Sequence, residues 1–166
     1  MEETSWKYEI KMTPGIITAK KSKVSYKLHE YHHDESAESY GLEAAEKMGV
    51  PKERVFKTLV VSLDSKELAV GVIPVSSMLS MKLIAKAAGA KKATMANKSD
   101  VERSTGYVIG GVSPLGQKRQ LETIIDSSAN HHATVYVSAG RRGLEIELAP
   151  KDLGNATKAI FAAISL

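Results

Sequence analysis

The sequence predicts a single α+β domain in which helices surround a mixed, mostly antiparallel β-sheet. Runs of β-branched and aromatic residues intermix with helical patterns without a regular βαβ rhythm, and two adjacent runs have the pattern of a hairpin. The chain has 166 residues, of which 43% are hydrophobic and 25% charged, enough for one hydrophobic core. We expect residues 12–166 to form this domain and residues 1–11 to be an N-terminal extension.

The predicted strands are short runs rich in β-branched residues and bounded by turn residues. A polar turn at residues 64–66 joins the two strands of the hairpin. A glycine-rich segment at residues 103–117 predicts a mixture of strand and loop. The predicted strands are residues 26–31, 55–63, 67–75, 123–126, 133–140 and 143–148.

The predicted helices follow capping residues and stop at glycines. Thr13 is a candidate N-cap with a proline after it, while Gly49 and Gly89 are candidate C-terminal signals. Ser99 is expected to cap a short helix that includes Val101. The other predicted helices are residues 14–23, 40–49, 78–89 and a last one from Pro150, with Leu153, Ala156, Ile160 and Ile164 on its apolar side.

Lys57 is the residue that fits its predicted strand least well. Because side chains alternate across a strand, Lys57 shares the more apolar face with Val55 and Leu59. A lysine is rarely buried in such surroundings without a partner. Three interpretations stay open: the amine reaches solvent along its apolar stem, the charge protects a strand edge, or the lysine belongs to a site.

Several kinds of site are excluded by the residue types and motifs. The absence of cysteine excludes disulfides, thiol nucleophiles and thiolate metal sites. Neither a GxxxxGK[ST] phosphate loop nor a GxSxG nucleophile elbow occurs. Adjacent strand residues point in opposite directions, so the doublets His32–His33 and His131–His132 have poor geometry for chelation. We therefore expect surface histidines and no metal site.

The charge of the chain is mildly basic, with a formal net value of +4 at pH 7. Such an excess occurs in enzymes that bind no nucleic acid, but clustered basic residues also suit a phosphate backbone. No apolar run approaches the roughly 20 residues of a membrane span, and the N-terminus lacks a signal-peptide core, so we expect a cytoplasmic protein. The basic clusters are Lys20, Lys21, Lys23 and Lys27, then Lys86, Lys91, Lys92 and Lys98, then Lys118, Arg119, Arg141 and Arg142.

Three further features combine polar groups with apolar strands. Tyr31 closes one predicted strand, and Ser138 lies at the end of another, close to a glycine. The loop Gly110–Pro114 contains glycines that let a ligand approach backbone N–H groups. Each feature also has an ordinary interpretation, as a half-buried aromatic, a turn residue and a surface turn, and none decides the function alone.

Seven segments follow one another along the chain: EYHHD, VFKTLVV, LAVGVIPV, SMKLIAKAAGAKKATMA, RSTGYVIGGVSPLGQKR, TIID and VYVSAGRRGLEIEL. In this order they closely resemble the YbaK/EbsC family of the prolyl-tRNA-synthetase-associated editing domain superfamily. The resemblance extends from about Met12 to the final helix, and its most specific part is RSTGY…GGxSPLGQK together with the FKTL lysine. It implies the YbaK fold, with a barrel-like sheet surrounded by helices.

The resemblance implies an aminoacyl-tRNA deacylase that acts in trans. Members of the family remove cysteine that prolyl-tRNA synthetase has attached to proline tRNA, and act on Cys-tRNA(Cys) more broadly. Because cysteine and proline have similar volumes, packing alone cannot exclude cysteine strongly from the synthetase. The resemblance further implies no metal, no cofactor and no membrane association, with aminoacyl-tRNA and prolyl-tRNA synthetase as partners.

The resemblance also implies the site residues, of which Lys57, Tyr31 and Ser138 would be catalytic. Two positions depart from the family pattern: Ala139 stands where glycine often follows the serine, and Glu145 stands where relatives often have aspartate. We expect Ala139 to narrow its corner of the pocket, and the extra methylene of Glu145 to alter substrate preference if that residue shapes the pocket. The implied substrate-binding residues are Thr58, Gly110, Gly111, Pro114 and Arg103.

In the family mechanism, the sulfur of the substrate attacks its own carbonyl and releases tRNA with a small cyclic thioester. We expect Lys57 to hold the phosphate or ribose region of the terminal adenosine and to offset charge on the departing oxygen. Tyr31 and Ser138 would orient the ribose or the α-amine. In an alternative role, Lys57 is a general base with a lowered pKa. Alternative functions are a water-using Ala-tRNA(Pro) deacylase, a non-catalytic tRNA- or synthetase-binding adaptor, and a hydrolase of an unrelated small ester.

Overall fold

The computed structural model of the protein describes residues 12–37 and 39–166, so the predicted N-terminal extension lies outside the described residues. These residues form five α-helices and eight β-strands, with 3₁₀ turns at Lys52–Arg54 and Ser127–His131. None of these helices is long and apolar enough to cross a membrane. The helices are α1 (Pro14–Lys21), α2 (Tyr40–Met48), α3 (Met81–Ala87), α4 (Lys98–Thr105) and α5 (Pro150–Thr157). The strands are β1 (Tyr26–Glu30), β2 (Phe56–Leu63), β3 (Glu67–Pro74), β4 (Ala93–Met95), β5 (Glu122–Asp126), β6 (Val135–Arg141), β7 (Leu144–Leu148) and β8 (Ile160–Ala162).

Two separate sheets, which do not close into a barrel, form the centre of the described fold. The larger sheet has the order β4-β2-β3-β5-β8, with antiparallel β2–β3 and β2–β4 pairs and parallel β3–β5 and β5–β8 pairs. The smaller sheet has the order β1-β7-β6 and is antiparallel throughout. Antiparallel pairs therefore predominate, which confirms the predicted mixed α+β class and the β2–β3 hairpin.

The strand that contains Lys57 is covered on both faces. Phe56 and Val60 of β2 belong to the main core, which also includes buried residues of the smaller sheet and of α1. Val61 points to the other face of β2 and lies in a second cluster with Ile84 of α3. Coverage on both faces explains why β2 reads as a nearly continuous apolar run instead of a clean alternation of polar and apolar residues.

Helix α4 and the segment after it differ from the sequence prediction. The side-chain oxygen of Asn97 accepts a hydrogen bond from the first helical turn at 2.8 Å, so Asn97 is the N-cap and Ser99, the predicted cap, lies inside the helix. Residues 103–117 complete α4 and then continue as a loop, so the strand predicted there is wrong. The Tyr107 hydroxyl donates to the Leu115 carbonyl at 2.6 Å and holds this loop without a β-ladder.

The predicted last helix is shorter than its apolar spacing indicates. Helix α5 ends where Lys158 adopts the left-handed conformation, with φ of 55°, and residues 160–162 form β8 beside β5. The Asp126 carboxylate accepts a hydrogen bond from the Ile164 N–H at 2.9 Å and fixes the chain after β8. Ile164 is buried in the second cluster, although not on a helix. The apolar spacing over residues 153–164 therefore comes from a helix, a strand and a buried residue that follows the strand.

Candidate active site

A cavity of about 370 Å³ lies where β2, the start of α2, the loop after α4 and the β6–β7 hairpin meet. Its walls are mainly apolar, and its polar groups come from separate segments of the chain. This volume is within the range of small-molecule sites in proteins, roughly 300–1,000 Å³. The polar side chains at the cavity belong to Tyr31, Ser39, Tyr40, Lys57, Thr58, Ser138, Arg142 and Glu145.

The cavity lies against an open edge of β2. Strand β4 pairs with β2 only from Val61 onward, and the Ala96 N–H donates to the Val60 carbonyl at 3.1 Å, so the preceding residues of that edge stay uncovered by β4. Side chains of consecutive strand residues point to opposite faces. Lys57 and Thr58 nevertheless both line the cavity, because it extends around the open edge. Two consecutive polar residues of this edge therefore contribute to the wall of one cavity.

Lys57 lies half-buried between the buried Val55 and the partly buried Leu59, on the apolar face that the sequence predicts. Burial lowers the pKa of its ammonium and is the one cause of the shift, so no described carboxylate offsets the charge. The lysine lines the same cavity as Tyr31 and Gly110. This position supports the interpretation that Lys57 belongs to a site.

Glu145 faces the cavity from β7, opposite Ser138 of β6 and His29 of β1. Only 6% of the residue is exposed, and burial raises the pKa of its carboxyl to about 8. At neutral pH the group is therefore predominantly a neutral carboxylic acid, which can donate as well as accept a hydrogen bond. Glu145 forms part of the cavity wall. The extra methylene of Glu145 is expected to alter substrate preference only if the residue shapes the pocket, and that condition is met.

Tyr31 and Thr58 contribute two neutral hydroxyls. The Tyr31 N–H donates to the Gly143 carbonyl at 2.9 Å and fixes the residue directly after β1. Burial, with the nearby Glu145 charge as a smaller cause, raises the pKa of the Tyr31 phenol to about 12, so it is a protonated donor in neutral solution. The Thr58 hydroxyl is buried and has no hydrogen-bond partner in the described chain. Such a group costs about 1–3 kcal/mol, which a ligand that bonds to it would offset.

Ser138 lines the cavity at a bulge in β6. Its hydroxyl accepts a hydrogen bond from the Gly140 N–H at 3.1 Å, and the register with β7 shifts between Ser138 and Arg141. Ala139 points to the opposite face and is fully buried in the main core. The expectation that Ala139 narrows the pocket is therefore wrong, because strand alternation directs its methyl group away from the cavity.

Gly110 is the residue of the predicted glycine–proline set that reaches the cavity. Its φ of 98° lies in the left-handed region that favours glycine. A Cβ at this position would lie 2.9 Å from the Tyr40 ring and 3.0 Å from Cδ of Arg142. The absence of a side chain at Gly110 therefore leaves room for the contact between Tyr40 and Arg142.

Gly111, Pro114 and Arg103 do not line the cavity. The Gly111 N–H donates to the Val108 carbonyl at 3.0 Å, so the expectation of a free ligand-binding amide is wrong at this residue. Pro114 is buried within the loop. The Arg103 side chain is 72% exposed and forms an ion pair with Asp100 at 2.5 Å along α4. A role for these three residues in substrate binding stays a prediction.

Tyr40 and Arg142 form a part of the cavity wall, although the sequence predicts neither of them as a site residue. The guanidinium carbon of Arg142 lies 3.7 Å from the centroid of the Tyr40 ring, within the range of a cation–π contact. The signal in the sequence was the pair Arg141–Arg142 in the last basic cluster. That cluster indicates a phosphate-binding surface in general, but not which arginine faces a cavity.

His33 is not the surface histidine that the sequence predicts. Its Nδ1 donates to the Glu43 carboxylate at 2.9 Å, and only 19% of its side chain is exposed. The expectation is wrong for His33 because α2 directs a buried carboxylate toward the segment after β1. In residues 12–37 and 39–166, no group of three His, Asp or Glu side chains is arranged to hold a metal ion.

Comparison with known proteins relates most of the chain to one family. A family model described as "Aminoacyl-tRNA editing domain" matches residues 34–156, which include the cavity residues named above except Tyr31. The "Putative Cys-tRNA(Pro)/Cys-tRNA(Cys) deacylase EbsC" of Enterococcus faecalis is 42% identical over 156 residues, covering 92% of this chain and 93% of its own length. The uncharacterized protein YwhH of Bacillus subtilis is 32% identical over 111 residues, covering 67% of this chain and 70% of its own.

Two solved structures share the fold. A hypothetical protein superposes with a TM-score of 0.81 at 25% identity, covering 93% of this chain and 100% of that chain. A structure described as "a putative trans-editing enzyme for prolyl tRNA synthetase" superposes with a TM-score of 0.75 at 23% identity, covering 85% and 87% of the two chains, a likeness of fold alone. Because the family model spans well over half of the chain and the 42% identical relative covers nearly all of it, this protein belongs to the aminoacyl-tRNA editing domain family.

Proposed function

We propose that the protein is an aminoacyl-tRNA deacylase that removes cysteine from mischarged proline tRNA, with Cys-tRNA(Cys) as a second substrate. The observation that carries this proposal is the convergence of Lys57, Tyr31, Thr58, Ser138 and Glu145 on one cavity. Membership of the editing family supports the deacylase activity. The cysteine substrates are supported by the name of the relative that is 42% identical.

The reaction needs no nucleophile from the protein, because an aminoacyl ester is already reactive. In the proposed route, the sulfur of the cysteine bonds to its own carbonyl carbon while the bond from that carbon to the ribose oxygen breaks. The thiol proton ends on the leaving oxygen, and the products are tRNA with a free hydroxyl and a cyclic thioester. No water is consumed in this step, so the cleavage is of the lyase type and hydrolysis of the thioester follows separately.

Lys57 stabilises the negative charge that develops on the departing ribose oxygen. An ammonium in a partly dry site interacts with such charge more strongly than one in water. Burial lowers the pKa of Lys57, whereas the phosphates of a bound acceptor end raise it, so the charged form is the one we favour. The Tyr31 phenol and the Ser138 hydroxyl orient the ribose or the α-amine. Retained activity in Lys57→Arg would exclude the alternative role of Lys57 as a base, because arginine keeps its proton.

Selection by sulfur protects correctly charged prolyl-tRNA, which has no thiol. A pocket that had to reject proline by size would face a competitor of nearly the same volume. Few basic groups surround the cavity, so we expect prolyl-tRNA synthetase to supply the choice of tRNA in a ternary complex. Because tRNA is charged in the cytoplasm, we propose that the protein acts there.

A deacylation assay on proline tRNA charged with cysteine, alanine or proline tests this function. We expect the cysteine ester to be cleared fastest and the proline ester to persist. Lys57→Ala is expected to lower kcat/KM by about 10²-fold or more, the usual cost of removing a charge-stabilising group. Lys66→Ala, which removes an exposed lysine at the turn between β2 and β3, is the matched control and is expected to be as active as the wild type.

Three results would count against the proposal. Preferential clearance of the alanine ester would replace the cysteine assignment with the water-using alternative. Undiminished clearance by Lys57→Ala would remove the role given to that lysine. Binding of charged tRNA by the wild type without clearance of any ester would favour the adaptor function instead.

A further inference from the structure

A second cleft adjoins the cavity on the side of the β6–β7 turn. It is lined by residues 30–33 and 141–143 and shares Tyr31 and Arg142 with the cavity. Because the two spaces have a common wall, a molecule whose end lies in the cavity can continue along the cleft. Two arginines line the cleft against one glutamate, so its surface favours an anion.

Arg142 lies at the boundary of the two spaces with two donors that no described group accepts. Its Nε and Nη2 atoms are both buried and have no hydrogen-bond partner. These two N–H groups are on one edge of the planar guanidinium, where they form a fork for two acceptor oxygens. The stack on Tyr40 holds the fork in place. Since unpaired buried donors of a charged group are costly, the arrangement points to an acceptor from outside the chain.

His33 presents a third unpaired nitrogen beside the same aromatic ring. The Glu43 carboxylate accepts the hydrogen bond of its Nδ1 at 2.9 Å and fixes the imidazole, while Nε2 is buried without a partner. The His33 ring meets the Tyr40 ring edge-on, with the centroids 6.3 Å apart. Tyr40 is thus contacted by both His33 and Arg142, and both of these residues line the second cleft. Because Nδ1 already directs its proton to Glu43, Nε2 can donate to an anion in the cleft only when both nitrogens of the imidazole are protonated.

The chemistry of the fork selects the kind of anion. In an aminoacyl-tRNA, the carboxylate of the amino acid is esterified and its amine is a cation, so neither offers a pair of anionic oxygens. The anion closest to the ester along the chain is the phosphodiester on the 5′ side of the terminal adenosine. Its two non-bridging oxygens match an arginine fork in the bidentate manner.

We propose that Arg142 binds the phosphodiester on the 5′ side of the terminal adenosine, so that the acceptor strand leaves the cavity through the second cleft. This inference rests on the proposed function, because the ester must lie in the cavity. It assigns the phosphate to Arg142 and leaves Lys57 to act at the ester. The contact positions the nucleotide, and loss of that position lowers the rate at the reacting atoms.

Equilibrium binding tests this phosphate site without any cleavage. The ligands are adenosine, adenosine 5′-(methyl phosphate) and inorganic phosphate, each titrated into the wild type, Arg142→Gln, Arg142→Lys and Arg119→Gln. Arg119 is exposed and lines neither space, so Arg119→Gln removes the same charge as a matched control. We expect the wild type and Arg119→Gln to bind the methyl phosphate about tenfold or more tightly than adenosine. Arg142→Gln is expected to lose most of that preference, and Arg142→Lys to keep only part of it, because an ammonium lacks the fork.

A preference between two ligands within one variant does not change when a fraction of that variant is unfolded, and melting temperatures of the four proteins check folding directly. A preference that survives in Arg142→Gln would overturn the inference and leave Arg142 as a packing partner of Tyr40. Equal affinity for inorganic phosphate and for the methyl phosphate would also overturn it, by showing a site for free phosphate and not an anchor for a nucleotide.

Clearance of Cys-tRNA(Pro) by the wild type, measured alongside, separates this inference from the proposed function. If no ester is cleared but Arg142→Gln loses the phosphate preference, the phosphate site stands and the proposed function falls. If esters are cleared but the preference does not change, the function stands and the phosphate site falls. In an active protein we also expect the slope of log kcat/KM against log salt concentration to become shallower by about 0.7 in Arg142→Gln, the value for one phosphate contact on a single strand.

Discussion

At the scale of single residues, the ionisable groups of the cavity have charge states set by dehydration. Burial lowers the pKa of Lys57 and raises the pKa of Glu145 to about 8, and in both cases burial is the one cause. An ion pair between the two groups would instead raise the pKa of Lys57 and lower that of Glu145, because each charge would favour the charged form of the other group. A substrate can therefore interact with the Lys57 ammonium and with the neutral Glu145 acid without breaking a salt bridge between them.

Glu145→Gln is expected to remove a pH dependence of stability. The carboxyl has a pKa of about 8 in the folded protein, against 4.5 as its ordinary value, so between these pH values the folded state keeps a proton that the unfolded state has released. Stability therefore falls as pH rises through this window, by up to about 1.4 kcal/mol per pH unit. Glutamine cannot ionise, so the Glu145→Gln variant does not lose stability in this way as the pH rises.

Denaturant unfolding of the wild type and of Glu145→Gln at pH 5, 6.5 and 8 measures this difference. We expect the free energy of unfolding of Glu145→Gln to rise steadily relative to that of the wild type as the pH rises, since the other titrating groups are common to both proteins. A difference in the free energy of unfolding that stays constant from pH 5 to pH 8 would show that Glu145 is ionised in the folded state like an exposed glutamate.

Residue-level patterns predict Lys57 well and Arg142 poorly, for a physical reason. Strand alternation identifies a charge on an apolar face, because the period of a strand is local and can be read from neighbouring letters. The stack of Arg142 on Tyr40 depends on how the β6–β7 hairpin packs against α2, and no local pattern reports that contact. Thr58 is predicted in part. Its position beside Lys57 can be read from the sequence, but the absence of a hydrogen-bond partner for its hydroxyl cannot.

At the scale of elements, the open edge of β2 is the feature that makes a site possible. Strand β4 is only three residues long and pairs with the last part of β2, so the first part of that edge faces the cavity. Helix α4 follows β4 directly and contributes Val101 to the cavity wall and to the main core. The position of α4 therefore sets one side of the cavity.

Asn97→Ala is expected to lower the free energy of unfolding by about 1 kcal/mol, the typical value of an N-cap. The reason is that the Asn97 side chain accepts the hydrogen bond of the Asp100 N–H at 2.8 Å. Ser99→Ala, at the cap position predicted from the sequence, is the control and is expected to change stability by less than about 0.5 kcal/mol, because Ser99 is an exposed residue inside α4. Equal losses in the two variants, measured by denaturant unfolding, would contradict this assignment of the cap.

Element boundaries are predicted from the sequence where a local signal is unambiguous and missed where tertiary contacts decide. Gly49 ends α2 in the left-handed conformation, as its position predicts. After α5, the apolar spacing continues at helical period, but the chain pairs with β5 as β8, and the Asp126 carboxylate fixes the residues after that strand. A short strand at the end of a chain gains its stability from that partner strand, which a helical pattern cannot reveal.

At the scale of the whole molecule, the two sheets share one core, and residues of both sheets line the cavity beside the start of α2. We propose residues 12–166 as the editing domain, because the family model matches residues 34–156 and the resemblance to the family begins at about Met12. A protein that lacks residues 1–11 is therefore expected to keep the melting temperature and the kcat/KM of the full chain. A clear loss of either quantity on truncation would assign the first eleven residues to the domain.

Single-turnover deacylation by the wild type tests the attack by the substrate sulfur when cysteine and serine are compared on the same proline tRNA. The two amino acids differ by sulfur in place of oxygen, so their size is similar while the strength of the internal nucleophile is very different. The proposed mechanism predicts clearance of the serine ester about tenfold or more slowly than the cysteine ester, with a cyclic thioester as the first product of cysteine. Equal rates for the two esters would contradict it, since water and not the substrate sulfur would then be the nucleophile.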